Sequence, residues 1–347
     1  MRKKVICLDV ESVVETKSNQ LLLKALHFGA SDIYIEPGPN QYMIQFRKYG
    51  KVFPAGQIPI DLGDRIISFF KFKSSLDISE KRKPQSGSFE QQISDGLYSF
   101  RVSTLPSVYK KESLVIRLFL QNASYPITSL CYFLPTAEEL LKLVSKSQGL
   151  ILFCGATGSG KTTTLYSLVK YCSETLGRHV ISLEDPVESS QSYMLQIQVN
   201  ERAGVTYASG LKAILRHSPD VIMIGEIRDE ETAQIAVRAA LSGHLVLSTI
   251  HAKDTVNCIY RLMDLNISIE EIRQATVAII AQCLIHLKDS DSRKAIYEIL
   301  TDDILHDAMK AIMEGREYQL PVERTLEYQR AWIESGKDRA TTNKSMR

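Results

Sequence analysis

The sequence predicts an α/β fold in two parts, a smaller α+β region followed by a core with a parallel β-sheet. In the second part, apolar strand-like runs alternate with helical segments, as in a parallel sheet covered by helices on both faces. In the first part, short segments alternate apolar and polar residues, which favours a largely antiparallel sheet. The predicted boundaries are 1–122 for the first domain, 123–135 for a linker, 136–327 for the second domain and 328–347 for a polar tail.

The first domain is predicted to mix helices and strands along the chain. Its predicted helices are Leu21–Phe28 and Asp64–Phe72. Its predicted strands are Asp32–Glu36, Gln41–Arg47, Phe89–Ile93, Leu97–Ser103 and Ser113–Leu120. Turn-forming residues at 37–40 connect the first two of these strands.

The second domain shows the regular alternation expected of a parallel sheet. Its predicted strands are Leu150–Cys154, His179–Glu184, Val221–Glu226 and Leu245–Ile250. Its predicted helices are Thr162–Leu176, Tyr207–Arg216 and Glu230–Leu241. The segment Asp254–Leu287 is predicted to be mostly helical, and the polar residues after Glu327 are predicted to be frayed.

Composition narrows the classes of function. The 347 residues are 44% hydrophobic and 24% charged, with a net charge of only +2, so nothing drives the whole chain towards nucleic acid. The six cysteines include no C-x-x-C pair, which favours reduced thiols in a cytoplasmic protein. The apolar run Val5–Leu8 is too short for a signal peptide, and no run approaches the ~18 residues of a membrane span.

A phosphate-binding loop is the most specific feature of the sequence. It reads Gly155, Ala156, Thr157, Gly158, Ser159, Gly160, Lys161 and Thr162, and it lies between a predicted strand and a predicted helix. Glycines let the backbone N–H groups turn inward around phosphate oxygens, and the helix N-terminus adds a positive dipole end. Lys161 can reach the β- and γ-phosphates, and the Thr162 hydroxyl can bind Mg²⁺. The loop therefore predicts binding of a nucleoside triphosphate with Mg²⁺.

Carboxylates follow two of the predicted strands of the core. Glu184 and Glu226 each end an apolar strand, where the side chains of a parallel sheet face the ligand crevice. We expect Glu226 to polarise an attacking water and Glu184 to join the Mg²⁺ and water network. Helix N-capping is the alternative for such carboxylates, and it suits Asp229 and its acidic neighbours better.

Two histidines flank the strand Leu245–Ile250. Because the strand is extended, His244 and His251 lie at its opposite ends and cannot form a local metal pair. One of them could contact the γ-phosphate, and the alternative for each is a structural role.

These motifs together resemble those of the secretion superfamily ATPases of type II secretion and type IV pilus assembly. The resemblance rests on a Walker A stretch, an acidic box, a Walker B strand, a histidine box and three shorter N-terminal stretches. In order, these are Gly155–Thr163, Leu183–Glu188, Pro219–Asp229, Gly243–His251, Ala30–Pro37, Lys83–Gly87 and Arg101–Pro106. It extends from about residue 20 to 300.

The resemblance implies a RecA-like core behind a PAS-like N-terminal domain, assembled as a hexamer. It implies that ATP and Mg²⁺ bind the loop that extends from Gly155 to Thr163. It also implies that His244 and His251 belong to the nucleotide site and that Arg101 and Arg117 reach the phosphates. For either arginine, an exposed strand position is the alternative. A peripheral position at the membrane, a membrane platform partner and the pilin assembly machinery are also implied, without direct contact to nucleic acid.

Departures from the family pattern narrow the resemblance to the competence ATPases of Gram-positive bacteria. No tetracysteine module separates Ala281–Lys288 from Arg293–Leu300, Tyr34 stands at a common histidine position, and Lys111-Glu112 replaces a common Gly-Glu. The implied function is ATP-driven assembly of a pilus for DNA uptake. Alternatives are a pilus retraction ATPase, an ATP-binding scaffold with little turnover, and a DNA-translocating motor, which the lack of a basic stripe disfavours.

Overall fold

The computed structural model describes residues 13–93, 96–121, 125–287 and 292–335. The chain divides into two compact units, residues 1–123 and 124–347. The apolar run at 5–8 and Cys7 lie outside the described residues. No helix in the described ranges is both long and apolar enough to cross a membrane.

The described residues of the first unit form two helices against a six-stranded antiparallel sheet. The helices are α1 (Val13–Phe28) and α2 (Ile60–Lys73). The strands are β1 (Asp32–Pro37), β2 (Gln41–Lys48), β3 (Lys51–Pro59), β4 (Gln85–Ile93), β5 (Gly96–Pro106) and β6 (Glu112–Leu120). Their order is β3-β2-β1-β6-β5-β4, and every neighbouring pair is antiparallel.

Strand β3 was not predicted from the sequence. It contains Pro54 and Gly56, residue types that lower strand propensity. The strand lies at one edge of the sheet and is almost entirely exposed, so the hydrophobic alternation that marks a half-buried strand is missing. An edge position also tolerates proline, because one side of an edge strand needs no hydrogen-bond donors.

The core of the first unit lies between the helices and one face of the sheet. Leu22 of α1 and Phe70 of α2 are fully buried with Ile33, Phe100 and Ile116 of the strands. Charged side chains are buried in this unit as well.

Lys71 of α2 is one of these buried charged residues, and Glu112 of β6 is its partner. It is fully buried, and its Nζ lies 2.7 Å from both Glu112 Oε1 and the Glu80 carbonyl oxygen. The ion pair therefore connects α2 to the start of β6, and the hydrogen bond to the carbonyl oxygen connects α2 to the loop that carries Glu80.

The second unit contains a seven-stranded mixed sheet between helices. The strands are β7 (Gly149–Cys154), β8 (Val180–Glu184), β9 (Leu195–Gln198), β10 (Val221–Ile227), β11 (Leu245–Ile250), β12 (Thr276–His286) and β13 (Arg293–Thr301). The helices are α3 (Ile127–Leu130), α4 (Leu134–Val144), α5 (Lys161–Glu174), α6 (Tyr207–Ile214), α7 (Glu230–Leu241), α8 (Thr255–Asp264), α9 (Ile269–Ala275), α10 (Asp302–Met313) and α11 (Leu326–Glu334).

The strands of this sheet run in the order β13-β12-β7-β11-β10-β8-β9. All neighbouring pairs are parallel except β12 and β13, which are antiparallel. Both faces are covered, because separate hydrophobic clusters pack on either side of the sheet. The central strands β7 and β11 are buried along their whole length, as the predicted strand–helix alternation requires.

The prediction of a mostly helical segment over Asp254–Leu287 is wrong from Thr276 onwards. Helices α8 and α9 occupy its first part, and β12 then forms beside β7. The run from Thr276 to Ile285 is apolar on both faces, and such a run does not distinguish a buried strand from a buried helix by its periodicity. The prediction of frayed residues directly after Glu327 is also wrong, because α11 continues to Glu334.

Replacing Lys71 with methionine tests the buried ion pair. The Lys71→Met variant leaves the Glu112 carboxylate buried without its cation, so we expect a loss of about 3–5 kcal/mol in the free energy of unfolding. The double variant Lys71→Met/Glu112→Leu should recover most of this loss. Urea denaturation followed by circular dichroism measures both, and equal destabilisation in the two variants would contradict the ion-pair explanation.

Candidate nucleotide site

The phosphate loop follows β7 and leads directly into α5. Gly160 forms the N-cap of α5 in the left-handed region, at φ 86°. Gly155 has φ 134°, and a Cβ there would lie 2.5 Å from the carbonyl oxygen of Gln282. Side chains are therefore excluded at both ends of the loop, by backbone conformation and, at Gly155, by space as well. Ala156 and Thr157 are exposed at its surface.

The Lys161 side chain folds back onto the phosphate loop that precedes it. Its Nζ donates hydrogen bonds to the carbonyl oxygens of Gly155 and Ala156, at 2.8 Å and 3.0 Å. Burial lowers the pKa of Lys161, and the nearby negative charges of Glu226 and Glu188 oppose that shift. The Lys161 ammonium and the Glu226 carboxylate therefore belong to one local electrostatic site.

The register of the parallel strands places the predicted residues at one edge of the sheet. Cys154, the last residue of β7, pairs with Ile250, the last residue of β11, and Ile250 also pairs with Ile227 of β10. The phosphate loop, His251 and Glu226 consequently lie at the same edge.

Both oxygens of the Glu226 carboxylate have partners. Oε2 lies 3.1 Å from His251 Nε2, and Oε1 pairs with the Arg228 guanidinium. Arg228 also lies 3.9 Å from Asp185 Oδ2, which follows β8. The Glu226 side chain is only 15% exposed, whereas that of His251 is 61% exposed. The arrangement gives a largely buried carboxylate at the strand end, fixed by two neighbouring side chains.

Glu184 has a different environment from that of Glu226. Its side chain is buried, with hydrogen bonds from Tyr166 (2.5 Å) to Oε2 and from Ser182 (2.6 Å) and Gln196 (3.0 Å) to Oε1. Burial and the Glu184 charge raise the pKa of Tyr166, so the phenol remains a donor. These three donors hold both carboxylate oxygens of Glu184, and its predicted part in the Mg²⁺ and water network stays a prediction.

Thr162 fits the predicted metal-binding role. It is the second residue of α5, directly after Lys161, and it is half-buried. A hydroxyl oxygen at this position is the hard ligand that Mg²⁺ takes in phosphate-loop proteins. Thr163, the next residue, is exposed.

His244 lies away from the phosphate loop, at the opposite edge of the sheet. Its neighbour Leu245 pairs with Gly149, the first residue of β7. The His244 Nδ1 atom is 3.2 Å from both the Ala239 carbonyl oxygen and the Ser242 hydroxyl, at the C-terminus of α7. The two histidines are therefore at opposite ends of β11, as predicted, and the structure brings only His251 to the loop.

Asp229 has the capping role that was considered for it. Its side chain accepts a hydrogen bond from the backbone N–H of Thr232, at 2.8 Å, and it is the N-cap of α7. The helix that follows Glu226 is thereby given a fixed starting point.

Arg101 and Arg117 belong to the first compact unit. They are directly opposite each other on β5 and β6. Arg117 Nε lies 2.7 Å from the buried carboxylate of Asp32, and the Arg101 guanidinium lies 4.8 Å from the ring centroid of Phe119. Their role towards the phosphates stays a prediction.

Two residues at the site were not singled out from the sequence. Arg228 follows Glu226 closely, so proximity to a catalytic candidate could have indicated it. Gln282 of β12 donates a hydrogen bond to the Ser159 carbonyl oxygen, at 2.7 Å. A polar residue within the apolar run of β12 was the sequence feature that could have indicated Gln282, but that run was predicted to be helical.

The family described as Type II/IV secretion system protein matches residues 8–342 of this chain. The chain belongs to this family. Competence protein ComGA of Bacillus subtilis (strain 168) is 47% identical over 274 residues, covering 79% of this chain and 77% of that protein. The ComGA of Halalkalibacterium halodurans is 42% identical over 86% of this chain and 91% of its own length. The predicted membership among the secretion ATPases is thus confirmed, and with it the enzyme class.

More distant relatives also match most of the chain. The type IV pilus assembly ATPase PilB of Pseudomonas aeruginosa is 37% identical over 83% of this chain and 51% of its own length. Among solved structures, the Legionella pneumophila ATPase DotB matches with a TM-score of 0.71 at 22% identity, covering 92% of this chain and 88% of that one. The pilus retraction motor PilT with bound ADP matches with a TM-score of 0.69 at 24% identity, over 95% of this chain and 98% of that one. These two structures support the fold.

Substituting Glu226 by glutamine tests its role in turnover. Glu226→Gln keeps the shape but removes the negative charge that would orient and polarise water, so we expect kcat to fall by about 10²- to 10⁴-fold. Nucleotide binding should persist, because the loop and Lys161 are unchanged. Phosphate release and equilibrium binding of a fluorescent ATP analogue measure the two effects separately, and normal turnover would place the base elsewhere.

The two histidines form a matched pair of substitutions. His251→Ala removes a partner of Glu226, and we expect turnover to fall by about tenfold or more, the scale of one hydrogen bond to a charged group. His244→Ala removes a contact at the end of α7 and should change thermal stability more than turnover. Steady-state ATPase rates and melting temperatures of both variants are compared, and equal losses of rate would contradict the assignment.

Proposed function

We propose that this protein hydrolyses ATP as a subunit of a hexameric motor that assembles a competence pilus for DNA uptake. The observation that carries the proposal is the convergence of the phosphate loop, Lys161, Glu226 and His251 at one edge of the parallel sheet. The competence proteins among its relatives favour this branch of the family.

The residues of the core suit phosphoryl transfer to water. The loop N–H groups and the α5 N-terminus bind the phosphates, and Lys161 exchanges its loop carbonyl partners for phosphate oxygens. Thr162 would hold Mg²⁺, which would neutralise charge on the phosphate oxygens. Glu226 orients the attacking water, and its contact with Arg228 or His251 is exchanged for contact with that water.

Glu184 supports this site from within the protein. Its hydrogen bond from Tyr166 connects the end of β8 to α5, the helix that carries Lys161 and Thr162. We infer that Glu184 positions the loop helix relative to the sheet and influences Mg²⁺ through that contact.

The remaining features of the motor follow from the family. We infer a RecA-like core and a PAS-like first unit, with Arg101 and Arg117 supplying guanidinium groups to the phosphates when the ring closes. Charge neutralisation by arginine would then couple nucleotide occupancy to domain movement. The motor would act at the cytoplasmic face of the membrane, on a platform protein and the pilin assembly machinery.

Two other functions use the same fold. A retraction motor would share these residues, and the fold similarity to PilT accommodates it. Deleting the gene distinguishes the directions of work, because loss of pili indicates assembly whereas persistent extended pili indicate retraction. A nucleotide-binding scaffold would show assembly without turnover.

Turnover and assembly are measured together to test the proposed motor. We expect the purified protein to hydrolyse ATP and to form hexamers by light scattering. The Glu226→Gln variant should form the same hexamers with turnover reduced to background. Intact hexamers whose ATPase rate equals that of Glu226→Gln would contradict the motor and support the scaffold.

A further inference from the structure

The phosphate loop is held by a side chain from a strand that carries none of the predicted motifs. Gln282 of β12 is buried, and its Nε2 donates a 2.7 Å hydrogen bond to the carbonyl oxygen of Ser159. Strand β12 lies beside β7, from which the loop starts. Gln282 therefore connects the loop to the neighbouring strand from outside the loop.

The same glutamine closely contacts both ends of the loop. A Cβ built on Gly155 would lie 2.5 Å from the Gln282 carbonyl oxygen, and one built on Gly160 would lie 3.0 Å from Gln282 Nε2. The backbone of Gln282 thus limits the start of the loop, and its side chain limits the end. A change in the Gln282 side chain therefore acts on the Ser159–Gly160 peptide, which comes just before Lys161.

The hydrogen bond to Ser159 fixes the orientation of that peptide. In a planar trans peptide, the C=O of one residue and the N–H of the next point in opposite directions. Holding the Ser159 carbonyl oxygen against β12 therefore turns the Gly160 N–H away from β12. It also keeps a partially negative oxygen from rotating to the side that must receive phosphate oxygens, where successive N–H groups form an anion-binding nest.

The hydrogen bonding of Gln282 differs from that of another buried glutamine. Gln329 of α11 donates to the carbonyl oxygens of both Tyr297 and Arg324, at 2.8 Å and 3.0 Å. The Gln282 side chain donates to Ser159 alone among the described residues, while its Oε1 and the Ser159 hydroxyl are buried without partners there. Unpaired buried polar atoms cost stability, so they need an explanation other than packing.

We propose that Gln282 is a positioning residue that presets the Ser159–Gly160 peptide for the polyphosphate of a nucleotide. This inference rests on the proposed function, because it assigns a role within the same nucleotide site. Gln282 acts through the loop backbone and needs no contact with the nucleotide.

The test uses a nearly isosteric substitution and a matched control. Gln282→Met removes the donor with little change in volume, and Gln329→Met removes a buried glutamine donor from α11. The full-length variants are titrated with N-methylanthraniloyl-ADP in the presence of Mg²⁺, and melting temperature, KM and kcat are measured. We expect Gln282→Met to raise the Kd for the analogue and the KM for ATP by about tenfold, the scale of one lost hydrogen bond. Its kcat should change by less than about threefold.

The Gln329→Met control separates an effect on nucleotide binding from an effect on protein stability. Gln329→Met should lower the melting temperature and leave the Kd for the analogue unchanged. An unchanged Kd in folded Gln282→Met, or equal shifts in both variants, would overturn the proposal. If Gln282→Met does not fold, Gln282→Ala takes its place, and failure of both to fold would assign Gln282 a purely structural role. Failure of the wild-type protein to bind the analogue would instead contradict the proposed function.

Discussion

The register of three parallel strands is the constraint on which the site depends. Strands β7 and β11 end level with each other, at Cys154 and Ile250, and β10 ends beside them at Ile227. Motifs that are far apart in the sequence therefore meet at one edge of the sheet. A slip of one residue in any of these strands would turn its side chains to the other face and separate Glu226 from the loop.

The rigidity of this edge comes from the strands beneath it. Strands β7 and β11 are buried at every residue, and hydrophobic clusters cover both faces of the sheet. The charged groups are concentrated where the strands end, on loops held by that scaffold. Lys161 is partly desolvated there, and the neighbouring carboxylates offset the cost to its charge. The site thus combines a fixed backbone with side chains that can exchange partners.

The sequence predicted this scaffold where two signals agreed. Strands β7, β8, β10 and β11 are apolar runs followed by motifs or helices, so their assignment did not depend on periodicity alone. Strand β12 had only its apolar composition, which a buried helix shares, and it was assigned wrongly.

Contacts within the site were harder to predict than its elements. The opposite placement of His244 and His251 followed from strand geometry. The hydrogen bonds around Glu184 could not be predicted, because Tyr166, Ser182 and Gln196 reach it from three different elements. The contact of Gln282 with Ser159 likewise depends on which strand lies beside β7, and no local pattern records that pairing.

The hydrogen bond between Tyr166 and Glu184 has a mechanical consequence. Tyr166 follows Lys161 by more than one turn on α5, and Glu184 ends β8, so one buried contact connects the helix to a strand that lies two positions from β11 and three from β7 in the sheet. Any shift of α5 along its axis must either stretch this contact or carry the end of β8 with it. The hydrogen bond thereby couples the two elements mechanically, so the helix and the end of the strand would move together as one rigid body.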